Sequence, residues 1–461
     1  MAERDTKTEN AALLMAVATS FISTFMGSSL NLAIPSMEAE FGISGAMAGW
    51  IVTAYVMTVA AIAVPMGKLA DATGRRRILL GGVGSFGVLS VCCSLVADIR
   101  ILLILRVLQG FAAAMLFATS TPILLSVFPG SERGRVLGIS TAAVYIGLSI
   151  GPVLGGFLNY QFGWRSVFLF TALIAAVAFW FSWRGAPREE KRGDFQLDPA
   201  GTVFFITGIL AFLFGLTSLT TSRYGWIVLA AGILLLILFF YVETKAEDPI
   251  IRVTMFSEDL VFTLSNLAAL LNYGATFAIT YLVSIFLQIV LGYSSQTAGL
   301  ILICMPVVQA FIAPVSGRLS DRIPPYRIAT TGMLFCVAGL VLFSFIGLDT
   351  GIAFIVAALL IEGIGFGLFS SPNTNAVMAC VEKKDYGVAN SILSTMRNMG
   401  HTSSMSIVTI VVGLYLGNAS LEAAEPQLLI STMHTIFLIN IVLCLIGVAF
   451  SLARKKQGAN T

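Results

Sequence analysis

The chain has 461 residues, 57% of them apolar and 11% charged, against about 45–50% and about 25% in soluble domains. That excludes a soluble globular enzyme. A net charge of +3 is too small a field to hold nucleic acid, and six cysteines without Cys-x-x-Cys spacing beside two histidines build no ordinary zinc site, so neither a metal nor a cofactor is expected.

Apolar runs long enough to cross a bilayer as helices occur fourteen times, and they are continuous where a barrel strand would alternate. The first, 11–34, is longer than the apolar stretch of a signal peptide and reads as a retained span containing Met26 and Asn31. Span two, 46–67, runs into Gly67-Lys-Leu-Ala-Asp71-Ala-Thr-Gly74-Arg75-Arg76-Arg77. An aspartate there can cap the following helix while the arginines latch it to a neighbour. Span three covers 77–97, and span four, 101–126, carries Arg106 and Gln109; a guanidinium inside a membrane must find acceptors. Span five, 136–160, contains Gly147, Gly151, Pro152, Gly155 and Gly156. Small residues four apart let backbones approach, and the proline loosens the hydrogen-bond ladder.

Span six, 165–184, ends at the polar stretch 185–198, and spans seven and eight follow at 199–219 and 224–243. Span nine, 260–292, is long enough to be tilted or broken and carries Tyr281 and Gln288. Span ten, 296–319, is followed by Gly317-Arg-Leu-Ser-Asp321-Arg322, an echo of the first loop. The last four spans are 327–347, 350–377, 387–416 and 429–453. The echo divides the chain into two six-helix units, 1–184 and 259–461, separated by a linker and an inserted hairpin at 185–258. Of the 27 Lys and Arg, 22 fall in the loops and tails on one side, which predicts that both termini are cytoplasmic in a cell membrane.

Among 24 acids, Glu362 alone sits near the middle of a span, beside Gly363, Gly365 and Gly367. Ionised and unpaired it would be expensive, so it must be protonated or find a cation, which makes it the leading proton-coupling candidate. Arg397 and His401, further proton-coupling candidates, stand four apart on span thirteen and can share a face; a polar network with Glu362 is one arrangement open to them. Met26, Asn31, Gln109, Tyr281, Gln288 and Asn373 are candidates for a substrate cavity, and aromatic residues such as Tyr145, Phe277 and Phe366 would suit its apolar surface. No Gly-x4-Gly-Lys-Ser/Thr loop occurs, so ATP hydrolysis is not indicated.

Taken together, the 67–77 loop, its echo, Arg106 to Gly110, Gly147 to Gly156, and Tyr281 to Gly299 followed by Met305-Pro306 resemble the major facilitator superfamily. More narrowly, they resemble its fourteen-helix drug:proton antiporter branch, over nearly the whole chain. The resemblance implies an all-α polytopic membrane protein of two six-helix bundles plus the hairpin. It further implies a functional monomer that exchanges protons for an amphipathic small molecule across the bilayer by alternating access. Arg106 then becomes a proton-coupling candidate, and the glycines of span five an antiporter signature. The chain departs from the branch where Met26 takes the place of a span-one acid and where Thr171 replaces a common Asn. A lipid or metabolite exporter of the same fold, coupled differently or uncoupled, is the alternative; a non-transporting membrane receptor or enzyme is the rival from another class.

Overall fold

The computed structural model describes residues 6–31, 33–43, 45–186, 198–219, 222–246, 248–416 and 425–454. Most of the polar 185–198 linker, several tail charges and the Asn31 side chain lie outside the described residues. The described chain is helical throughout: α1 (Thr6–Asn31), α2 (Ile34–Phe41), α3 (Gly45–Thr73), α4 (Arg75–Ser94), α5 (Ile99–Val127), α6 (Arg133–Phe162) and α7 (Arg165–Gly185) precede the linker. After it come α8 (Pro199–Thr217), α9 (Gly225–Glu243), α10 (Thr254–Glu258), α11 (Leu260–Thr276), α12 (Ile279–Ile285), α13 (Ser295–Leu302) and α14 (Cys304–Ser320). The series ends with α15 (Pro325–Phe343), α16 (Ile352–Ala379), α17 (Tyr386–Leu416) and α18 (Pro426–Ala453).

Thirteen of these segments are long and apolar enough to cross a membrane. The fourteenth expected span is α17, whose 31 residues include Asn390, Arg397, Asn398 and His401. It packs between other helices, against α3, α5 and α11. Polar side chains that would be costly in lipid are tolerated where protein surrounds them.

Short polar residues set the helix starts. Asp98 accepts from Arg100 N at 2.7 Å, Asp198 from Gly201 N at 3.0 Å and Asp259 from Phe262 N at 2.9 Å, which satisfies otherwise orphaned amides at helix N-termini. Span nine is broken, as its length allows. It stops at Thr276, resumes as α12 and ends in a π-turn over Phe286–Val290. At the break, Ala278 N donates to Ser404 Oγ on α17 at 3.1 Å, so the interruption is paid in a side-chain hydrogen bond rather than an exposed amide. Span ten divides in the same way at Ile303, between α13 and α14.

The two halves repeat one packing scheme. In the first, α1 packs on α6 and α7, α3 on α5, and α4 on α5 and α7; in the second, α11 packs on α17 and α18, α14 on α16, and α15 on α16 and α18. The correspondence α1 to α11, α3 to α14, α4 to α15, α5 to α16, α6 to α17 and α7 to α18 maps each of these contacts onto its counterpart. Two seams join the halves, α6 against α14 and α3 against α17, and the same correspondence exchanges them. The hairpin of α8 and α9 lies along the second seam. Gly215 faces Leu229 and Gly232 faces Phe212 inside the hairpin, while α8 touches α3 and α17. Lys68 pairs with Asp248 and Arg252 with Asp385 at 3.6 Å, tying the segment after the hairpin to both sides of the seam.

Candidate functional site

At the end of the molecule bearing the Arg-rich loops, the seams are fastened by two symmetric joints. Asp71 accepts from Gly387 N at 3.2 Å and Val388 N at 3.0 Å, the first-turn amides of α17. Asp71 therefore caps a helix of the opposite bundle rather than the following helix α4, whose N-cap is Gly74 at φ 106°, without a side-chain cap. Only glycine is at ease in that backbone region. Arg75 Nε donates to Asp71 Oδ1 at 2.7 Å and Arg75 Nη2 to the Lys383 carbonyl at 2.5 Å, while Arg76 reaches the Trp183 carbonyl at 2.7 Å within its own bundle.

The second joint is the counterpart of the first. Asp321 accepts from Gly134 N at 2.6 Å and Arg135 N at 2.9 Å, in the first turn of α6. Burial raises the Asp321 carboxyl above its ordinary value against the opposing pull of those amides. The joints are close enough to require glycine. A Cβ on Gly387 would stand 2.6 Å from Asp71 Oδ1, one on Gly67 2.6 Å from the Gly387 carbonyl, and one on Gly134 or Gly317 would collide with the backbone of the other helix of the joint. Gly134 and Gly387, each the second residue of its helix, escaped the sequence reading; the signal that reveals them is that both follow a short 3-10 turn, Gly130–Glu132 and Lys383–Asp385.

Further from that end, a cluster of aromatic and cationic side chains bridges the bundles. Tyr145 of α6 meets Phe366 of α16 edge-on at 6.2 Å and its hydroxyl reaches Ser370. Tyr273 of α11 packs on Phe366 at 4.9 Å and on His401 at 5.2 Å, and its hydroxyl lies 3.3 Å from Ser370 Oγ. His401 stacks on Phe277 at 4.1 Å. Arg397 lies over the Tyr273 ring at 5.5 Å and donates to Thr374 Oγ1 at 2.5 Å, with its Nε unpaired among the described residues. The cluster thus offers flat apolar faces, one cation and several hydroxyls, which suits an aromatic amphipath. Sequence reading named most of these residues but not Tyr273, which sits in the last turn before the break in span nine.

Glu362 does not join Arg397 and His401. It is buried on α16 directly over Gly339 of α15, where a Cβ would have no room, and faces the Cys336 thiol. Neither carboxyl oxygen has a hydrogen-bond partner among the described residues. Arg106 and Gln109 also lie inside a bundle. Arg106 is fully buried, donating from Nε to the Ile51 carbonyl at 2.8 Å and from Nη1 to Gln109 Oε1 at 2.5 Å, over the Tyr55 ring at 4.4 Å; Gln109 Nε2 continues to Ser90 Oγ at 2.8 Å.

The other candidates are dispersed. Met26 is buried against Thr171 of α7. Asn373 donates to the Ser265 carbonyl at 3.1 Å and accepts from the buried Arg454 at 3.0 Å, within the second bundle. Tyr281 is exposed, and so is Gln288, which bonds to Ser284 on its own segment at 2.8 Å. The glycines of span five form the α1–α6 contact: Gly147 faces Phe21 and Thr24, Gly151 faces Ser28 and Gly155 faces Ser29, while Ser28 Oγ donates to the Gly147 carbonyl at 3.2 Å. Pro152 lies within α6 beside them and Gly156 is half-buried.

Comparison with known proteins places this geometry. Residues 16–405 and 265–460 match the sequence profile of the Major Facilitator Superfamily. A riboflavin transporter, RibZ, of Clostridioides difficile is 32% identical over 82% of this chain and 83% of its own length. The multidrug transporter MdtP of Bacillus subtilis is 28% identical over 88% of this chain and 76% of its own, and the cephamycin export protein CmcT of Amycolatopsis lactamdurans 29% over 91% and 88%. Among solved structures, the human organic anion transporter MFSD10 superposes with a TM-score of 0.64 at 16% identity over 95% of this chain and 98% of its own. The proton:xylose symporter XylE does so with 0.67 at 13% over 95% of each chain.

Proposed function

Because the chain belongs to the major facilitator superfamily, and so carries out secondary transport of a small molecule across a membrane, we propose that it is a proton-driven exporter of aromatic amphipathic compounds. The observation that carries this reading is the cluster of Tyr145, Tyr273, Phe366, His401 and Arg397 bridging the two bundles. In this reading substrate lies on those rings with its polar group toward Arg397, and the units 1–184 and 259–461 rock about it. The excess of Lys and Arg on one side supports an orientation with the joints and both termini in the cytoplasm; in that orientation the fastened seams correspond to a conformer closed to the cytoplasm. Glu362 takes a proton while the transporter faces outward and gives it up inside; a carboxyl group unpaired in a dry bundle has the chemistry for that exchange.

A metabolite carrier with weak or no proton coupling is the second reading. It is favoured by the relative whose printed cargo is riboflavin, itself a planar ring system, and by a bridging cluster in which the charged group is a guanidinium. Proteoliposomes under an imposed pH gradient separate the two. A panel of cationic, zwitterionic, neutral and anionic aromatics is offered to wild type and Glu362→Gln while proton flux is followed. Substrate-dependent proton flux in wild type that the variant lacks supports the exporter. Substrate equilibration without proton flux in either protein supports the second reading, and normal coupling in Glu362→Gln removes Glu362 from the mechanism.

A further inference from the structure

The surroundings of Glu362 contain an unused donor. Asn272, on α11, is fully buried; its Oδ1 accepts from Cys444 Sγ at 3.7 Å and the Cys336 thiol faces both Asn272 and Glu362. Its Nδ2 has no partner among the described residues. One dry cluster thus holds an amide donor and two carboxyl oxygens that make no hydrogen bond among the described residues, with only the weakly bonding Cys336 thiol facing both, although groups of either kind are costly when unpaired in a membrane. The titratable groups facing Glu362 are the Cys336 thiol from α15 and the Cys444 thiol from α18. α11 contributes the Asn272 amide on the other side of the Cys336 thiol, and α14 presents the Met305 carbonyl beside Gly363. None of these is a cation that could hold the carboxylate instead.

Asn272 is adjacent in sequence to Tyr273, which touches Phe366, Ser370, His401 and Arg397 in the bridging cluster. Both lie within the last five residues of α11, just before the break at Ala278, whose amide leaves the helix for Ser404. We propose that Asn272 is the positioning residue that links proton site to substrate site. When Glu362 loses its proton, the Asn272 amide turns to donate to the carboxylate, and this end of α11 carries the Tyr273 ring with it, changing the fit of the aromatic cluster. The inference rests on the proton-coupled reading, and it makes substrate affinity depend on Glu362 protonation through one amide.

The test is the pH profile of substrate binding to the full-length protein in nanodiscs, using the tightest compound of the transport panel. It compares wild type, Glu362→Gln, Asn272→Leu, Asn272→Gln and Asn440→Leu. Asn440 is a fully buried amide of α18, also unpaired among the described residues but on a different helix from Tyr273, and controls for general damage to the bundle. Wild type is expected to change affinity about fivefold or more across the Glu362 titration. Asn272→Leu and Glu362→Gln should bind with flat profiles, while Asn272→Gln and Asn440→Leu retain the wild-type dependence. If Asn272→Leu keeps a Glu362-dependent profile, the inference is overturned and the proton reading stands. If wild type is itself flat and moves no protons, the proton reading falls and takes the inference with it. Should Asn272→Leu not fold, an Asn272→Ala protein is assayed in its place on the same criterion.

Discussion

Thr171 Oγ1 lies 3.4 Å from Met26 Sδ, both side chains fully buried between α1 and α7. These are the two positions at which the chain departs from the acid and the amide expected from its resemblance to the fourteen-helix branch, and they touch. A carboxylate at 26 would need a donor at 171, whereas a thioether is content with a hydroxyl that is already bonded to the Val167 carbonyl at 2.8 Å. Met26→Glu alone is therefore expected to lower thermal stability in detergent by more than about 2 kcal/mol, as an unpaired buried charge does. Adding Thr171→Asn should restore at least about 0.5 kcal/mol. Strict additivity of the two changes in a double-mutant cycle would show that the pair is not coupled.

The joints at Asp71 and Asp321 make a prediction about conformation. Each carboxylate accepts two backbone amides of a helix in the other bundle, so Asp71→Asn and Asp321→Asn should each weaken closure at that end by about 1 kcal/mol, the scale of a charged helix cap. Gly387→Ala and Gly134→Ala should do more, because the added methyl has no space. Maleimide labelling of a cysteine introduced at the buried Val388 reports opening. Labelling that stays at the wild-type rate in both glycine variants would contradict the assignment of these contacts as the fastening of the seams.

The order and number of spans were legible because bilayer thickness imposes a length on apolar runs, and the duplication was legible through Gly67 to Asp71 and Gly317 to Asp321. What those aspartates hold was not. Sequence proximity points Asp71 at α4, whereas the capped helix begins more than 300 residues later, at Tyr386. The polar residues separated similarly. Arg106 and Glu362 stand out in sequence because charge in a span is conspicuous, yet both point into bundle interiors, where helix rotation rather than residue type decides the facing. Tyr273 and Asn272 are inconspicuous by type and important by place: consecutive residues on a helix point in different directions, one toward the rings of the seam and the other toward Cys336 and Cys444.

Arg397 offers a test of selectivity. Its guanidinium lies over Tyr273 and keeps Nε unpaired among the described residues, so a substrate with an anionic or carbonyl group gains a donor there. Arg397→Gln should weaken binding of such aromatics about tenfold or more, the scale of a hydrogen bond to a charged group, and leave neutral hydrocarbon-like amphiphiles within about twofold, an energy difference under 0.5 kcal/mol on the usual conversion. Equal losses across the panel would place Arg397 in the framework of the helix contact and not in substrate recognition.

At the opposite end of the first bundle, Glu40 accepts from Trp164 Nε1 at 2.7 Å and from Arg165 Nη1 at 2.8 Å, and Arg165 Nη2 continues to the Val96 carbonyl at 3.0 Å. The Trp164 hydrogen bond first, and then Arg165, hold the Glu40 carboxyl below its ordinary value of 4.5. A lowered value in the folded state means that the stabilisation is complete above about pH 4.5, where the unfolded group is also ionised, and is lost as pH falls through the lower folded value. The side chains of Glu40 and Arg165 are 43% and 37% exposed, so the clamp is worth at most about 1 kcal/mol after solvent screening. Wild type and Glu40→Gln should therefore differ by a small, constant amount in apparent melting temperature from pH 7 down to about 5 and converge below it. Convergence in the opposite direction, with the gap widening in acid, would mean that protonated Glu40 is the form this corner prefers.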